Sequence, residues 1–279
     1  MDLSCIILTW NSAAYVEACM KSVLADLAAS GLSHEIFVID NGSTDGTLDI
    51  LRRLAPPSMT VIPLGCNTGT TFSRNIGLKM ARGRHLAILD SDIEAVQPAT
   101  FGRLVGFLQD HPEVAIVAPQ LQFPSGRYQK TTDVFPTLVH KLRRFVKLRA
   151  MEAQEGTAAM PTAPVEVDYA VSAFWVMPAT LPRRIGLLDE RIFYAPEDVD
   201  FCLRAALSGL RVSYLPTVVA THHAQEISRR SPWSRSFREH VKGLAYFYRK
   251  HGFLFSLEDV YRRIRQARTA ASGADLARP

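Results

Sequence analysis

The stretch HLAILDSDIE, residues 85–94, decides the fold prediction because a buried strand and two acidic residues meet in it. The apolar run 86–89, bounded by polar residues, is typical of a strand in the interior of a sheet. Side chains two residues apart in an extended segment point the same way, so Asp90 and Asp92 would present their carboxylates together. Two adjacent carboxylates repel each other unless a cation or protons lie between them, and Mg²⁺ and Mn²⁺ favour oxygen ligands. The spacing alone leaves two interpretations open: a divalent metal site, or a cap for the turn that follows.

Similar apolar runs alternate with segments of helical period through the first half of the chain. The alternation predicts an α/β fold with a mixed, mostly parallel sheet flanked by helices. In such sheets ligands bind at the carboxyl ends of the strands, so the residues after each strand are the candidates for function. The predicted strands are SCIILTW (4–10), EIFVID (35–40), TVIPL (60–64), HLAILD (85–90) and VAIVAPQ (114–120). The predicted helices are 13–29, 47–54, 73–81 and 98–108.

The second half is less regular. AFWVM (173–177) and RVSYLP (211–216) read as strands, and residues 197–208 read as a helix between them. We expect one or two helices over residues 131–150, a loop over 151–164, and helices beyond His223.

Composition excludes several protein classes. The chain has 279 residues, 47% hydrophobic and 21% charged, which is globular composition. No apolar stretch approaches the roughly 18–20 residues that cross a bilayer. MDLSCIILTW reads as a first strand and not as a signal peptide, so we expect a cytoplasmic protein. The four cysteines show no CxxC pairing, which argues against a zinc or redox site.

Positive charge is concentrated at the C-terminus. Residues 226–279 contain twelve Lys or Arg and five Asp or Glu, although the whole chain carries only +5. A near-neutral body does not favour nucleic acid, whereas a basic tail indicates a surface-docking element, for which anionic lipid is one candidate. HKLRRFVKLR (140–149) has the pattern of a basic amphipathic helix, and FREHVKGLAYFYRKHGF (237–253) is similar. Each segment is either a peripheral membrane element or a solvated helix packed on the sheet.

Four stretches together carry a resemblance to a known family. They are SCIILTWNSAAYVEACMKSVL (4–24), IFVIDNGSTDGT (36–47), NTGTTFSRNIGLKMARGRHLAILDSD (67–92) and IGLLDERIFYAPEDVDFCLRAALSGLRVSYLPTVVATHH (185–223). In this order they resemble the inverting family 2 glycosyltransferases of GT-A fold, and most closely the rhamnosyltransferase-like branch. The resemblance implies a GT-A domain over 1–225, with a nucleotide-binding half (1–120) and an acceptor and catalytic half (121–225). Residues 226–279 would form a short basic helical extension.

The resemblance also implies a site for a nucleotide-diphosphate sugar. In it, Asp40 would accept the N3–H of uracil or thymine, although it could instead serve the Asn-Gly turn that follows. Arg74 would lie near the phosphates, the alternative being an exposed helix arginine. The residues assigned to this site are Thr9, Asn11, Asp40, Gly42, Asn67, Arg74, Asp90 and Ser91.

The metal and the catalytic groups follow from the same resemblance. Asp92 and His222, with His223 as the other choice of histidine, would hold Mn²⁺ or Mg²⁺. Asp198 would be the general base, since a carboxylate can take the proton of an acceptor hydroxyl as the new bond forms. Glu197 would assist catalysis and bind the acceptor, unless these acids only favour the start of a helix. Trp175 would stack on the acceptor sugar, unless it is a core residue.

The implied activity is transfer of a sugar from a dTDP-rhamnose or UDP-sugar donor to a glycan or lipid-linked glycan. The enzyme would work in the cytoplasm, either free or as a peripheral protein at the inner face of the cell membrane. Two other classes stay open: a nucleotidyltransferase, and a non-catalytic module that binds sugar nucleotides or glycans. The first would require a Gly-rich loop bearing Arg or Lys after the first strand, and TWNSAAY (9–15) has none.

Overall fold

The computed structural model describes residues 1–139, 161–223 and 235–275, of which 235–236 and 272–275 are described by their backbone alone. Its helices are α1 (Val16–Ser30), α2 (Thr47–Leu54), α3 (Thr70–Met80), α4 (Thr100–Asp110), α5 (Thr180–Ile185), α6 (Glu197–Leu207), α7 (Arg235–His251) and α8 (Glu258–Asp275). Its strands are β1 (Leu3–Thr9), β2 (His34–Asp40), β3 (Met59–Pro63), β4 (His85–Asp90), β5 (Ile93–Ala95), β6 (Val114–Gln122), β7 (Tyr128–Gln129), β8 (Thr132–Asp133), β9 (Val165–Val167), β10 (Tyr169–Ala170), β11 (Phe174–Pro178) and β12 (Arg211–His222).

The main sheet is mixed and mostly parallel, as the sequence predicts. Its central path runs in the order β3-β2-β1-β4-β11-β6-β12-β5, with β7 added beside β6 and β9 beside β12. Strands β1 to β4 pair in parallel. Strand β11 is antiparallel to both β4 and β6, and β12 is parallel to β6.

The register brings the candidate residues to one edge of this sheet. Thr9 is paired with Asp40, and Leu8 is paired with Asp90, so β1, β2 and β4 end side by side. Strand β5 pairs antiparallel with the end of β12 and places Ile93 opposite His222. The segment between β4 and β5 therefore runs from the centre of the sheet to the end of β12.

The core has two parts, one on each face of the sheet, because successive side chains of a strand point to opposite faces. Cys5 and Ile7 of β1 pack in a cluster with α1 and α4. Ile6, between them, belongs to the other cluster with α3 and α6.

The structure differs from the sequence prediction in its irregular parts. Residues 131–137 contain the short strand β8 and a loop rather than the expected helix. Short strands such as β5, β7 and β9 were not predicted, because two or three residues carry too little periodicity to be recognised. The basic segment 140–149 and most of the expected loop 151–164 lie outside the described residues.

Helix α7 is joined to the body by a partly buried polar network. Lys250 Nζ donates to Asp189 Oδ2 at 2.8 Å and to Asp200 Oδ1 at 2.7 Å. His251 Nε2 lies 2.8 Å from the same oxygen of Asp200, and the Tyr246 hydroxyl donates to Asp189. Asp200 is fully buried in the first turn of α6, so the network connects the C-terminal segment to the helix that begins with Glu197.

Two aromatic residues of α7, Tyr246 and Phe247, face this body, whereas Phe237 near the start of the helix is exposed. Phe247 is fully buried and packs edge-on against Phe253, and Tyr246 lies under the guanidinium of Arg191. Phe247 therefore has no exposed surface through which it could contact a membrane. Among the described helices, none is both long and apolar enough to span a bilayer.

Candidate functional site

Two acids after β4 and a histidine at the end of β12 form a possible metal site. One ligand atom each from Asp90, Asp92 and His222 lie within 4.8 Å of one another. His222 Nε2 is 3.4 Å from Asp92 Oδ1, and both side chains are 11% exposed. Two ligands that each lie about 2.1 Å from one ion are separated by roughly 3 Å, so this spacing fits a shared cation. Carboxylate and imidazole ligands together suit Mn²⁺ well.

The pKa shifts of Asp90 and His222 indicate that negative charge is crowded at this site. Burial raises the pKa of Asp90, the Arg74 guanidinium opposes that rise, and the charge of Asp92 adds to it. Burial acts to lower the pKa of His222, but its hydrogen bond with Asp92 and the charges of both aspartates outweigh burial and raise it. A divalent ion among the three side chains would stabilise the carboxylates in their charged form.

The neighbouring histidine has a different partner. His223 Nε2 makes a short contact with Glu94 Oε1, and its ring packs on Tyr15 with centroids 5.3 Å apart. Within the described part of the chain, the ligand atoms that lie within 4.8 Å of one another belong to Asp90, Asp92 and His222, and His223 is not among these residues. The geometry therefore favours His222 over His223 as the histidine of the cluster.

Arg74 connects the acids after β4 to the acids at the start of α6. Its side chain is 2% exposed, so the alternative of an exposed helix arginine is wrong. Nη2 donates to Asp90 Oδ1 at 2.6 Å, and Nη1 donates to Glu197 Oε1 at 3.2 Å. Both also donate to Ser172, through its hydroxyl and its carbonyl. A single guanidinium thus bridges carboxylates that are 107 positions apart in the sequence, between residues 90 and 197.

Glu197 and Asp198 begin α6 in different environments. Glu197 is 6% exposed and accepts hydrogen bonds from Arg74 and from the Ser172 hydroxyl at 2.9 Å. Burial, with the charge of Asp198, raises the pKa of Glu197 to about 8 despite the opposing effect of Arg74. Asp198 is half-buried, and its Oδ1 accepts the backbone N–H of Val199. Glu197 is thus favoured as a neutral acid near pH 7, next to a more accessible carboxyl group.

Two oxygens at the ends of β1 and β2 have no hydrogen-bond partner within the described residues. They are Thr9 Oγ1 and Asp40 Oδ1, on residues that are paired in the sheet and 1% exposed. The other oxygen of Asp40 accepts the backbone N–H of Ser43 at 3.0 Å. A buried carboxylate oxygen without a donor is costly, so a water or a ligand N–H is expected to supply one.

Other predicted nucleotide residues shape the loops around this point. Asn11 Oδ1 accepts the N–H of Thr44, and Asn67 Oδ1 accepts from Asn41 Nδ2. Gly42 has φ +81°, and an added Cβ would lie 2.6 Å from the backbone of Cys66. Gly42 is therefore required by the close approach of two loops, whatever ligand lies nearby.

The remaining predicted residues fall into two groups. The Ser91 hydroxyl lies 2.7 Å from that of Ser12 and is buried beside the acidic pair. Trp175 is fully buried and stacks on Phe201 with centroids 5.9 Å apart. We correct its assignment to the acceptor site, because a side chain with no exposed surface packs in the core.

Sequence reasoning missed three polar residues near the site. Ser172 contacts both Arg74 and Glu197, and Asn41 accepts from Thr68 and donates to Asn67 across the loops. Gln129 Oε1 lies 2.9 Å from His222 Nδ1. Ser172 and Gln129 lie in irregular parts of the sequence with no recognisable motif, whereas Asn41 lies in the polar run after β2, and that run is a signal from which it could have been predicted.

Comparisons with known proteins identify a family and several relatives of the chain. Residues 4–163 match the family model described as Glycosyl transferase family 2. The chain is 32% identical over 104 residues to the succinoglycan biosynthesis protein ExoO of Rhizobium meliloti, covering 37% of this chain and 29% of that protein. It is 36% identical over 76 residues to the rhamnosyltransferase WbbL of Escherichia coli, covering 27% and 28%. The aligned regions thus span less than a third of either relative.

A solved structure shows the same fold. The mannosyltransferase PcManGT from Pyrobaculum calidifontis, in complex with GDP-Man and Mn²⁺, superposes with a TM-score of 0.58 at 18% identity. The match covers 99% of this chain and 76% of that one. At this identity the likeness bears on fold alone, and it agrees with the GT-A fold expected from the sequence. Because the family model covers more than half of its residues, the chain belongs to glycosyl transferase family 2.

Proposed function

We propose that the chain is an inverting, metal-dependent glycosyltransferase with Asp198 as its general base. The observation that carries the proposal is the pair of hydrogen bonds by which Arg74 bridges Asp90 and Glu197. Asp90 belongs to the candidate metal site, and Glu197 is adjacent to Asp198. A transferase of this kind needs a site for the donor's phosphates next to a base that faces the acceptor. The bridge supports such an arrangement, because it brings the two acidic segments within the reach of one side chain.

The proposed donor is a uridine- or thymidine-diphosphate sugar, with dTDP-rhamnose as the first candidate. The unpartnered Asp40 Oδ1 supports a base that carries an N–H, as N3 of uracil and thymine does. The rhamnose preference is supported by the similarity to WbbL over 76 residues. Thr9, Asn11, Gly42, Asn67, Arg74 and Ser91 would line or shape the donor site.

In the proposed mechanism, the acceptor hydroxyl attacks the anomeric carbon from the side opposite the diphosphate. As the new C–O bond forms, Asp198 takes the hydroxyl proton, and the bond to the diphosphate breaks with its electron pair leaving on the phosphate oxygen. Glu197, held by Arg74 and Ser172, would orient the acceptor. A single displacement of this kind inverts the configuration at the anomeric carbon.

Asp92 and His222, with Asp90 beside them, are the residues that would hold the metal. Their carboxylate and imidazole atoms fit Mn²⁺ or Mg²⁺, and Mn²⁺ better because of the nitrogen. When bound, the ion would supply electrostatic stabilisation to the departing diphosphate.

The proposed acceptor is a glycan or lipid-linked glycan, which the enzyme would meet as a peripheral protein at the inner face of the cell membrane. The sequence of the basic segment 140–149 supports this proposal through its charge and spacing. Binding to vesicles with and without anionic lipid tests it directly. Equal binding to both kinds of vesicle, or to neither, would contradict it.

The catalytic proposal is tested with two variants on a panel of nucleotide sugars and acceptors. Asp198→Asn is expected to keep donor affinity and lose transfer at least 100-fold, because the amide cannot accept the proton. Asp92→Ala is expected to lose the dependence on Mn²⁺ together with turnover. Asp49→Asn, at a residue whose side chain is 83% exposed, serves as the control. Loss of donor affinity in Asp198→Asn as large as the loss of turnover would place Asp198 in donor binding instead.

The same assays separate the enzyme from the two other classes considered. A binding module would hold sugar nucleotides without metal-dependent turnover on any acceptor. A nucleotidyltransferase would release pyrophosphate from a nucleoside triphosphate, and membership in family 2 does not favour it.

A further inference from the structure

Gln129 contacts the candidate metal site through the ring of His222. It lies on β7, opposite Leu121 of β6, and its Oε1 is 2.9 Å from His222 Nδ1. The other ring nitrogen of His222 faces Asp92 Oδ1 at 3.4 Å. The imidazole of His222 therefore lies between the amide oxygen of Gln129 on one side and the carboxylate of Asp92 on the other.

With the Gln129 oxygen facing the ring, this arrangement favours one of the two neutral tautomers of His222. A carboxamide oxygen only accepts hydrogen bonds, so Nδ1 must be the protonated nitrogen for the contact to be favourable. In a neutral imidazole the lone pair is then on Nε2, on the side of Asp92. Metal-bound histidines commonly donate their other N–H to an oxygen in this way, which orients the ring and makes the ligating nitrogen more basic.

The fold explains how Gln129 reaches His222. A tight turn closes the β6–β7 hairpin, with Phe123 N–H donating to the Arg127 carbonyl at 2.8 Å. Strand β6 is paired with the end of β12, placing Gln122 beside Thr221. Strand β6 therefore lies between β7 and β12, and the Gln129 side chain reaches across it to the His222 ring. Strand pairing thus sets the position of Gln129, without a contact to Asp90 or Asp92.

We propose that Gln129 is a positioning residue that selects the metal-binding tautomer of His222. The inference rests on the proposed metal site, and it adds a residue to that site which makes no contact with the ion. It assigns a function to the β6–β7 hairpin, because this hairpin presents the amide to the imidazole.

The first test measures Mn²⁺ affinity by electron paramagnetic resonance, using Mn²⁺ alone and Mn²⁺ with UDP. Gln129→Ala is expected to bind Mn²⁺ about 10–100-fold more weakly than wild type, and Gln129→Glu at least as tightly, because a carboxylate is a stronger acceptor. Gln122→Ala is the matched control: this glutamine is on the adjacent strand and contacts Thr221, not the imidazole. It is expected to bind Mn²⁺ as the wild type does.

The second test observes the tautomer itself by ¹⁵N NMR of histidine-labelled, metal-free protein at about pH 8.5, with His222→Ala for assignment. The proton is expected on Nδ1 in wild type and Gln129→Glu, and to move toward Nε2 in Gln129→Ala. A role limited to packing would leave the tautomer unchanged.

Three results would overturn the inference alone: equal Mn²⁺ affinity of Gln129→Ala and wild type, an equal loss in Gln122→Ala, or a proton on Nε2 in wild type. The last would mean that the Gln129 amide is turned to donate through its nitrogen. If wild type bound no Mn²⁺ with or without UDP, the proposed metal site would fail together with the inference.

Discussion

A single added methyl group on α7 tests whether the C-terminal segment positions the start of α6. In Gly243→Ala, the new Cβ would lie 2.1 Å from the backbone oxygen of Ala195, whereas an ordinary carbon–oxygen contact is about 3.3 Å or more. The helix or the 195–196 backbone must therefore move by about 1 Å. Alanine normally stabilises a helix by about 0.5–1 kcal/mol relative to glycine, but overpacking costs about 1–3 kcal/mol. We expect a net loss of about 1–2 kcal/mol.

The displaced backbone directly precedes Glu197, so the variant should also be a poor catalyst. A shift of about 1 Å in a catalytic group can reduce the rate by roughly 100-fold, and we expect turnover to fall by about 10–100-fold. Urea denaturation measures the stability, and kcat for sugar transfer measures the activity. Gly106→Ala on α4 is the control, since nothing lies within 4 Å of its added Cβ; it should gain about 0.5–1 kcal/mol with unchanged kcat. If Gly243→Ala behaved like Gly106→Ala, α7 would not constrain this loop as described.

Three further substitutions test the charges and the base pocket. The pKa of Glu197 in the folded protein, about 8, is above its ordinary value of 4.5. Protonated Glu197 therefore contributes to the free energy of unfolding fully below about pH 4.5, and this contribution is lost as the pH rises through 8. Urea denaturation should show that the free energy of unfolding falls by about 3–4 kcal/mol more in wild type than in Glu197→Gln between pH 5 and 8.5. The same pH dependence of this free energy in both proteins would refute the predicted direction. At about pH 8.5, where Glu197 is ionised, Arg74→Met should lower the free energy of unfolding by about 3–5 kcal/mol, because it leaves the Glu197 and Asp90 carboxylates without their cation. Adding Glu197→Gln should recover part of this loss, and a strictly additive double variant would show that the two groups do not interact. In Asp40→Asn, the amide oxygen should accept the Ser43 N–H, which turns the NH₂ group toward the nucleotide base. Calorimetry is expected to show UDP bound at least about 10-fold more weakly, with the affinity for CDP unchanged. An equal loss of affinity for both nucleotides would show that Asp40 does not select the base.

The regular part of the fold was predictable because its signals are local. The runs that became β1, β2 and β4 are long and apolar, and each is followed by polar residues, so periodicity and order led to a mostly parallel sheet. Residues 131–137 misled the prediction, since strands of two residues have no period to detect. Trp175 was misassigned because a strand that bears aromatics has the same sequence whether those aromatics meet a ligand or another layer of the core.

For the site, the sequence by itself determined the acids after β4 and at the start of α6, because their spacing and the blocks around them are continuous in the chain. Only the tertiary structure decided that Arg74 joins these acids, that Asp200 is held by Lys250 and His251 of α7, and that Gln129 faces His222. Each of these is a contact between segments far apart in sequence. Its existence depends on sheet order and register, which bring distant residues to the same edge, and no local pattern of side chains records that distance.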